Sequence, residues 1–408
     1  MMHSDNKKNI LFLTARFPYP LVGGDRIKSF HLLRHLSKHH NVTLISCIHG
    51  EPPSKERLKP ITDLGIKVHT VTVTAMKNGL RSLKTLWTDQ PLEIAFYDVP
   101  EFHALVQNEL KNKHYDLAIA FFMRTAEYVK HIDIPKILIA EDCRVLYQSR
   151  SAASTSNILQ RLIRRWEVMK LKRYEPKTVQ SFDCVTCVTE TDIEAMHASM
   201  PDATYALLTN GIDLEAMPAS SEDQLRSRKG IVFVGLLHVL ANAMMAITIA
   251  KEYFPKLKKL FPDLELKIVG SSPGKTIRDL NSKDIHVHGD VEHIEEYFYR
   301  SALFLHPHKG ASGIQNKALQ ALAMGCALIT TKSGSQGIPL THGEHAFIAQ
   351  SADEMIVYAT QLLDDPELRI RMAMNGRLLI EQHFSWDAIF SQLDAILLDV
   401  LNKSKVNS

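Results

Sequence analysis

The sequence predicts an α/β protein built from two Rossmann-like, doubly wound domains that face each other across a cleft. A chain of 408 residues is longer than one hydrophobic core usually serves. Short apolar runs alternate with segments of helical periodicity, and this alternation restarts after a polar, linker-like segment at 217–228. We therefore predict one domain at 1–216, a second at 229–385 and a final helix at 386–408.

Six short apolar runs in the first half are predicted strands. The first, at 9–14, is almost entirely apolar, as in a parallel sheet whose strands are buried on both faces. A loop follows, and apolar residues at helical spacing then predict a helix over 27–39. The other predicted strands lie at 42–47, 67–74, 117–121, 137–140 and 184–188.

The second half repeats this pattern and then ends in helices. Its predicted strands lie at 231–234, 264–269, 285–288, 302–305 and 327–330, and its closing helices at 353–363, 366–382 and 386–401. Such alternation predicts a parallel sheet with helices on both faces in each domain. Ligands of these sheets bind beyond the carboxyl ends of the strands.

Composition and charge predict a cytoplasmic protein that is at most peripheral to a membrane. The first eight residues lack the pattern of a signal peptide. The uncharged stretch 230–250 is long enough to span a bilayer, but it divides into a β-like run and a helical run. The net charge of +3 is too small to predict nucleic-acid binding. Residues 1–220 carry 28 Lys and Arg against 24 Asp and Glu, which is compatible with a membrane partner and equally with surface variation.

No metal and no cofactor are predicted. Cys184 and Cys187 lie three apart on a predicted strand, so they point to opposite faces and do not suit a zinc or redox pair. The 20 histidines show no metal-ligand spacing, and the chain has neither H-E-x-x-H nor D-x-D. The first loop lacks G-x-G-x-x-G, so a dinucleotide cofactor is not indicated.

Two glycine-bearing loops follow predicted strands. Gly23 and Gly24 would let backbone N–H groups approach a phosphate or sugar, and the alternative is a plain turn capped by Asp25. The segment 269–276 resembles a P-loop, but three residues rather than four separate its glycines. We therefore favour a tight strand–helix turn there over an ATP site that uses Lys275.

The segment 309–326 carries the richest functional signal. A loop leads into a predicted helix over 315–324, whose first amides can bind an anion. Lys317 lies in the first turn, where the helix dipole disfavours a cation, and this suggests that it faces an anion. Gln320, one turn further, could hydrogen-bond a ribose, and the alternative is that both residues are surface positions of an amphipathic helix.

A basic amphipathic helix is predicted at 161–173. Its apolar and cationic residues suit contact with an anionic membrane. The alternative, which the sequence favours, is a solvated face on an ordinary domain helix.

Taken in order, these motifs resemble those of GT-B glycosyltransferases of the family-4 type, in particular bacterial sugar transferases associated with exopolysaccharide systems. The resemblance runs over nearly the whole chain. Its landmarks lie at 17–29, 209–213, 233–235, 266–270, 289–291, 313–317, 321–325 and 384–387.

The resemblance implies a retaining, metal-independent transfer from a nucleotide-diphosphate-sugar donor to a glycan or lipid-linked acceptor in cell-surface polysaccharide or glycoconjugate synthesis. It implies a donor held mainly by the second domain, an acceptor held mainly by the first, and a last helix that crosses back to the first domain. The candidate donor-binding residues are Gly23, Gly24, Gly235, His288, Gly313, Ile314, Gln315, Asn316, Lys317 and Gln320. The candidate catalytic residues are Lys317, Ser312 and Arg124, the last at a position where the family often has a histidine.

The chain departs from the family at positions that matter for catalysis. Ser312 and Gln320 stand where the family typically carries two glutamates. The Arg and Lys that many members have after the first strand of the second domain are absent from 235–242, so Lys317 would carry their task, with Lys309 or Arg26 as a helper. These departures leave open a catalytically inactive partner or scaffold protein of a polysaccharide-synthesis complex.

Overall fold

The described residues of the computed structural model, 7–155, 157–310 and 313–406, fold into two compact α/β units. The first unit comprises the chain up to Asn210 together with the residues from Ile389 onward, and the second comprises Gly211–Ala388. Each unit contains one parallel sheet with alternating helices, which confirms the predicted fold class.

The first unit has a seven-stranded sheet in the order β3-β2-β1-β4-β5-β6-β7. Its strands are β1 (Asn9–Thr14), β2 (Asn41–His49), β3 (Lys67–Val73), β4 (Leu117–Phe121), β5 (Lys136–Glu141), β6 (Cys184–Cys187) and β7 (Tyr205–Leu207). Its helices are α1 (Gly24–His39), α2 (Lys55–Thr62), α3 (Ala75–Ser82), α4 (Leu92–Tyr97), α5 (Pro100–Asn112), α6 (Arg144–Ser154), α7 (Ile158–Val179) and α8 (Glu190–His197), with 3-10 turns at Leu83–Trp87 and Met123–Tyr128.

The second unit has a six-stranded sheet in the order β10-β9-β8-β11-β12-β13. Its strands are β8 (Ile231–Val234), β9 (Leu266–Gly270), β10 (Ile285–Gly289), β11 (Leu303–His306), β12 (Ala327–Thr331) and β13 (Phe347–Ala349). The helices of this half are α9 (Glu222–Ser227), α10 (Leu240–Thr248), α11 (Phe254–Leu260), α12 (Lys275–Arg278), α13 (Glu295–Arg300), α14 (Asn316–Ala323), α15 (Ala352–Asp364) and α16 (Pro366–His383). A π-helical turn, Ile249–Tyr253, joins α10 to α11, and α17 (Trp386–Val406) continues from the second unit into the first.

Each sheet has one point at which the strand order reverses. In the first unit β1 pairs with both β2 and β4, and in the second unit β8 pairs with both β9 and β11. Helices that leave two such neighbouring strands pass to opposite faces of the sheet, so a crevice opens at their carboxyl ends. The two reversal points therefore fix where each unit can hold a ligand.

Two edge strands and one helix differ from the sequence-based expectation. The strands β7 and β13 were not predicted, because three residues are too few to show a periodicity. The polar segment at 217–228 contains α9, which begins with a capping box between Ser221 and Gln224 and buries Leu225. The S-x-x-Q pattern of Ser221 and Gln224 is the sequence signal that indicates the start of this helix.

The uncharged stretch at 230–250 folds as β8, a turn and α10, as predicted. Nowhere in the described part of the chain does a helix combine the length and apolar composition needed to cross a membrane.

Candidate functional site

A partly buried lysine marks the carboxyl edge of the second sheet. Lys317 lies in the first turn of α14, and its Nζ donates a hydrogen bond to Oδ1 of Asn242. Nζ also lies 6.0 Å from the centroid of the Phe233 ring. Burial lowers the pKa of Lys317 to about 8. No described carboxylate forms an ion pair with it, so a desolvated cation stands without a counter-ion.

Two histidines that the sequence analysis did not single out lie beside this lysine. The rings of His306 and His308 stack with centroids 5.2 Å apart. Nδ1 of His306 lies 3.1 Å from Oγ1 of Thr330, whereas His306 Nε2 and His308 Nδ1 are buried without a hydrogen-bond partner among the described residues. Burial, and then the nearby charge of Lys317, lowers the pKa of His306 well below its usual range and that of His308 to about 4. Both rings are therefore neutral at pH 7.

The lysine and the histidines meet at the reversal point of the second sheet. Asn242 belongs to α10, which follows β8, and the histidines end or follow β11. Since β8 and β11 are neighbours, Lys317 lies between the two chain segments that leave the sheet there. This is the crevice in which doubly wound sheets bind ligands.

Glycines keep the strand ends of this crevice free of side chains. A Cβ placed on Gly270, at the end of β9, would lie 1.7 Å from the carbonyl oxygen of Gly235, just after β8. A Cβ on Gly334 would lie 2.2 Å from Oγ1 of Thr330 and 2.9 Å from Nδ1 of His306. These positions require glycine because neighbouring backbone and side chains already occupy the space.

Most of the residues predicted to bind a donor lie at the start of α14. Gly313 has a positive φ of 71°, Ile314 is buried, and Gln315 is the N-cap residue that precedes Asn316 and Lys317. Gln320 lies one turn into the helix, and Ser312 is outside the described residues. The first amides of α14 thus accompany a cation at a helix N-terminus, an arrangement that suits an anion.

His288 lies elsewhere along the same sheet. It belongs to the edge strand β10, which β9 separates from β8, and its ring centroid lies 4.8 Å from that of Tyr297. Burial lowers the pKa of His288, as does the nearby His286. No described contact joins it to Lys317.

A second polar concavity lies at the reversal point of the first sheet. Arg124 follows β4; its Nη2 is 3.2 Å from Oε1 of Glu93, and its guanidinium lies 4.6 Å from the centroid of the Phe122 ring. The concavity is lined by Thr14, Ala15, Arg16, Asp25, Ser29, Phe121, Phe122 and Arg124. Phe122 has a φ of 68°, a left-handed conformation that is unusual for a bulky residue and places backbone strain directly at this edge.

The two glycines before α1 adjoin this concavity. Gly23 is the N-cap residue with a φ of 96°, and Gly24 begins the helix. No side chain caps this helix, because the carboxylate of Asp25 instead pairs with Arg16 at 3.0 Å. Asp25 therefore does not cap the helix, contrary to the alternative considered from the sequence. The first amides of α1 stay open to a ligand.

Comparison with known proteins gives a family match for part of the second unit. Residues 228–365 match the family described as "Glycosyl transferases group 1". Over 301 residues the chain is 21% identical to an "Uncharacterized 44.6 kDa protein in cps region" of Klebsiella pneumoniae, covering 69% of this chain and 74% of that protein. It is 27% identical over 213 residues to a GDP-mannose-dependent monoacylated alpha-(1-6)-phosphatidylinositol monomannoside mannosyltransferase of Corynebacterium glutamicum. That match covers 48% of this chain and 56%, about half, of the relative.

Solved structures align with this chain over nearly its full length. Sucrose-phosphate synthase from Thermosynechococcus elongatus aligns with a TM-score of 0.71 at 14% identity, covering 97% of this chain and 100% of that one. HepE of Anabaena, solved in complex with UDP and glucose, aligns with a TM-score of 0.64 at 14% identity, covering 96% and 99%. At such identities the likeness shows the fold alone.

Proposed function

We propose, on the premise that this chain has a GT-B fold whose second unit carries a group 1 glycosyltransferase domain, that it transfers a sugar from a nucleotide-diphosphate donor to an acceptor. The observation that carries the proposal is Lys317, a desolvated cation at the sheet's reversal point that has no counter-ion among the described residues. A diphosphate would supply the missing negative charge. The structures of HepE with UDP support a donor of this class.

In the proposed reaction, an acceptor hydroxyl bonds to the sugar's anomeric carbon while the bond from that carbon to the β-phosphate oxygen breaks. The hydroxyl attacks from the face of the departing diphosphate, and a phosphate oxygen of this leaving group takes the hydroxyl proton. The negative charge that develops on the leaving diphosphate is stabilised by Lys317 and the first amides of α14. Asn242 holds the lysine in place, and the neutral histidines leave the charge of the site to Lys317. We propose that these groups do the work without a metal ion and that the sugar keeps its anomeric configuration.

The acceptor is assigned to the first unit. The cationic groups Arg16 and Arg124 line the concavity at its reversal point, and the open amides of α1 adjoin it. These donors suit the hydroxyl, carboxylate or phosphate groups of a glycan or a lipid-linked glycan. The Klebsiella and Corynebacterium relatives support a place in cell-surface polysaccharide or glycolipid synthesis.

The test has a binding arm and a product arm. Thermal-shift measurements against UDP, GDP and ADP should show a concentration-dependent rise in Tm for one of them. Mass spectrometry with matching sugar donors, and with soluble and lipid-linked acceptors, should then detect a glycosylated product. Lys317→Ala should abolish both signals, whereas Lys259→Ala, an exposed lysine of α11, should change neither. A Lys317→Ala variant with full activity would refute the assignment.

A catalytically inactive scaffold is the second candidate, favoured by Gln320 and Ser312 at positions where related transferases carry glutamates. Introducing glutamates at positions 312 and 320 distinguishes an active transferase from an inactive scaffold. If Ser312→Glu with Gln320→Glu creates transfer that the natural chain lacks, while the natural chain still binds the nucleotide, the scaffold is the correct function. If the natural chain already forms product, the scaffold candidate falls.

A further inference from the structure

One amphipathic segment of the first unit is folded with its apolar side toward solvent. In α3 and the 3-10 turn that follows, Met76, Leu80, Leu83 and Trp87 are 81%, 65%, 55% and 82% exposed. Met76, Leu80 and Leu83 are spaced by four and three residues, as on one side of an α-helix, and Trp87 follows at the end of the 3-10 turn. We call these four residues the outer apolar seam.

The opposite side of the same segment is polar and buried. Asn78, Ser82 and Thr85 are at most 9% exposed. The side chain of Asn78 donates to the carbonyl of Phe96 at 2.7 Å, and Ser82 Oγ donates to the carbonyl of Asn78 at 2.9 Å. A helix on a water-soluble protein normally buries its apolar side, so this orientation leaves the seam in need of an apolar environment.

A buried lysine fixes the segment in this orientation. Lys170 of α7 donates from Nζ to the carbonyls of Thr85, Thr88 and Gln90, the latter two at 2.6 and 3.3 Å. Because these bonds satisfy the backbone on the inner side, the seam cannot turn inward without breaking them. The hydrogen bonds of the folded unit therefore keep the outer apolar seam exposed to solvent.

The helix α7, which supplies Lys170, also exposes apolar side chains in its first turns. Ile158, Leu159, Leu162 and Ile163 are all exposed, and Arg161 and Arg165 lie among them. The segment 75–87 contributes Lys77, Arg81 and Lys84 and no acidic residue, and 158–165 contributes three arginines and no acidic residue. Exposed apolar groups interleaved with cations are the composition of surfaces that bind anionic bilayers.

We propose that the outer apolar seam, with the start of α7, docks on the surface of an anionic phospholipid bilayer. Met76, Leu80, Leu83 and Trp87 enter the boundary between head groups and acyl chains, and the flanking cations contact lipid phosphates. A second copy of the chain suits the surface less well, because Arg81 is the one of these cations that pairs with a described carboxylate, Glu101 at 3.6 Å, and the net positive charge of two copies would repel. The proposal concerns membrane contact only and does not depend on sugar transfer.

The primary experiment is co-sedimentation of the full-length protein with vesicles. Vesicles of phosphatidylcholine mixed with phosphatidylglycerol should bind the protein, pure phosphatidylcholine should bind it weakly, and raising salt from about 0.05 M to about 0.5 M should weaken binding. The double variant Leu80→Ser/Trp87→Ser should lower the partition coefficient by about tenfold or more. The matched control Leu260→Ser/Val357→Ser removes two side chains that are each 58% exposed in the second unit, and it should bind like the natural protein.

Two further measurements test whether reduced vesicle binding comes from unfolding and whether Trp87 itself enters the bilayer. The Leu80→Ser/Trp87→Ser variant should keep the natural Tm, since the removed groups are exposed. Brominated lipids should quench tryptophan emission in the natural protein, and Trp87→Phe should remove most of that quenching while keeping vesicle binding. Absence of binding to anionic vesicles, equal loss in the control variant, or a dimer that Leu80→Ser/Trp87→Ser dissociates in sedimentation velocity would overturn the proposal.

Discussion

Lys317 Nζ donates a hydrogen bond to Oδ1 of Asn242, which joins the helix after β11 to the helix after β8 across the reversal point of the second sheet. The two residues are 75 positions apart in the chain. An amide oxygen orients the ammonium group without neutralising it, so the charge stays available to a ligand. This pairing is the basis of the first two predictions.

Tight nucleotide binding should require Asn242 as a neutral hydrogen-bond acceptor for Lys317. Asn242→Ala removes a hydrogen bond of about 1 kcal/mol, so we expect the nucleotide-diphosphate Kd to rise about fivefold. Asn242→Asp should weaken binding more, because a carboxylate beside Lys317 would neutralise the cation. Isothermal titration calorimetry of both variants checks this order, and an Asp variant that binds as tightly as the natural protein would contradict it.

Nucleotide-diphosphate affinity should fall as the pH rises above about 8. Burial lowers the pKa of Lys317 to about 8, so the side chain is charged below this pH and neutral above it. The attraction for an anion is therefore present at pH 7 and is lost progressively through pH 8 to 9. Nucleotide-binding titrations between pH 6.5 and 9.5 test this loss of affinity. Lys317→Arg, which stays protonated, should remove it, and a flat profile in the natural protein would be the contrary result.

The buried histidines should make the protein less stable in mild acid. The folded state holds His308 neutral with a pKa near 4, while the unfolded chain protonates it near 6.5. Stability therefore falls as the pH drops from 6.5 toward 4, by at most about 1.4 kcal/mol per pH unit for each histidine. His308→Phe keeps an aromatic ring beside His306 and removes one titrating group. Its Tm should fall less than that of the natural protein between pH 7 and 5, and parallel curves would count against the prediction.

The close approach of β9 to the turn after β8 should not tolerate a side chain. Gly270→Ala would place a Cβ 1.7 Å from a carbonyl oxygen, so we expect a loss of about 3 kcal/mol in the stability of the second unit. Gly274→Ala, four residues on, meets no heavy atom within 4 Å and serves as the control. Denaturant unfolding followed by the emission of Trp386, the tryptophan of the second unit, separates the two variants. Equal stability would show that the turn can open.

Arg124 should affect the acceptor and not the donor. It lies in the first unit at the reversal point, held by Glu93 at 3.2 Å. Arg124→Ala should raise the acceptor KM about tenfold or more, because a charged hydrogen bond contributes about 1.5–3 kcal/mol, while the nucleotide Kd stays unchanged. Steady-state kinetics with calorimetry measure both, and a matched rise in the nucleotide Kd would move Arg124 to the donor site.

The sequence predicted the central strands well because each one is a short, almost entirely apolar run. It missed β7 and β13, which are too short for periodicity to detect. It identified Lys317 from its place at a helix start, but not His306 and His308, whose functional signal is one buried ring nitrogen each that has no hydrogen-bond partner among the described residues. That signal arises from tertiary packing, and the spacing of residues along the sequence does not reveal it.

By itself the sequence determined the two doubly wound sheets and the helix starts, since apolar period, glycines and capping residues act over a few neighbouring positions. Only the tertiary structure decided which groups lack partners. Lys317 pairs with Asn242 and with no described carboxylate. Lys170 bonds to a residue 85 positions away in the chain and holds the segment whose apolar seam faces outward. Helical spacing alone would have buried that seam. Charge compensation and burial depend on residues brought together by folding, and local sequence does not specify them.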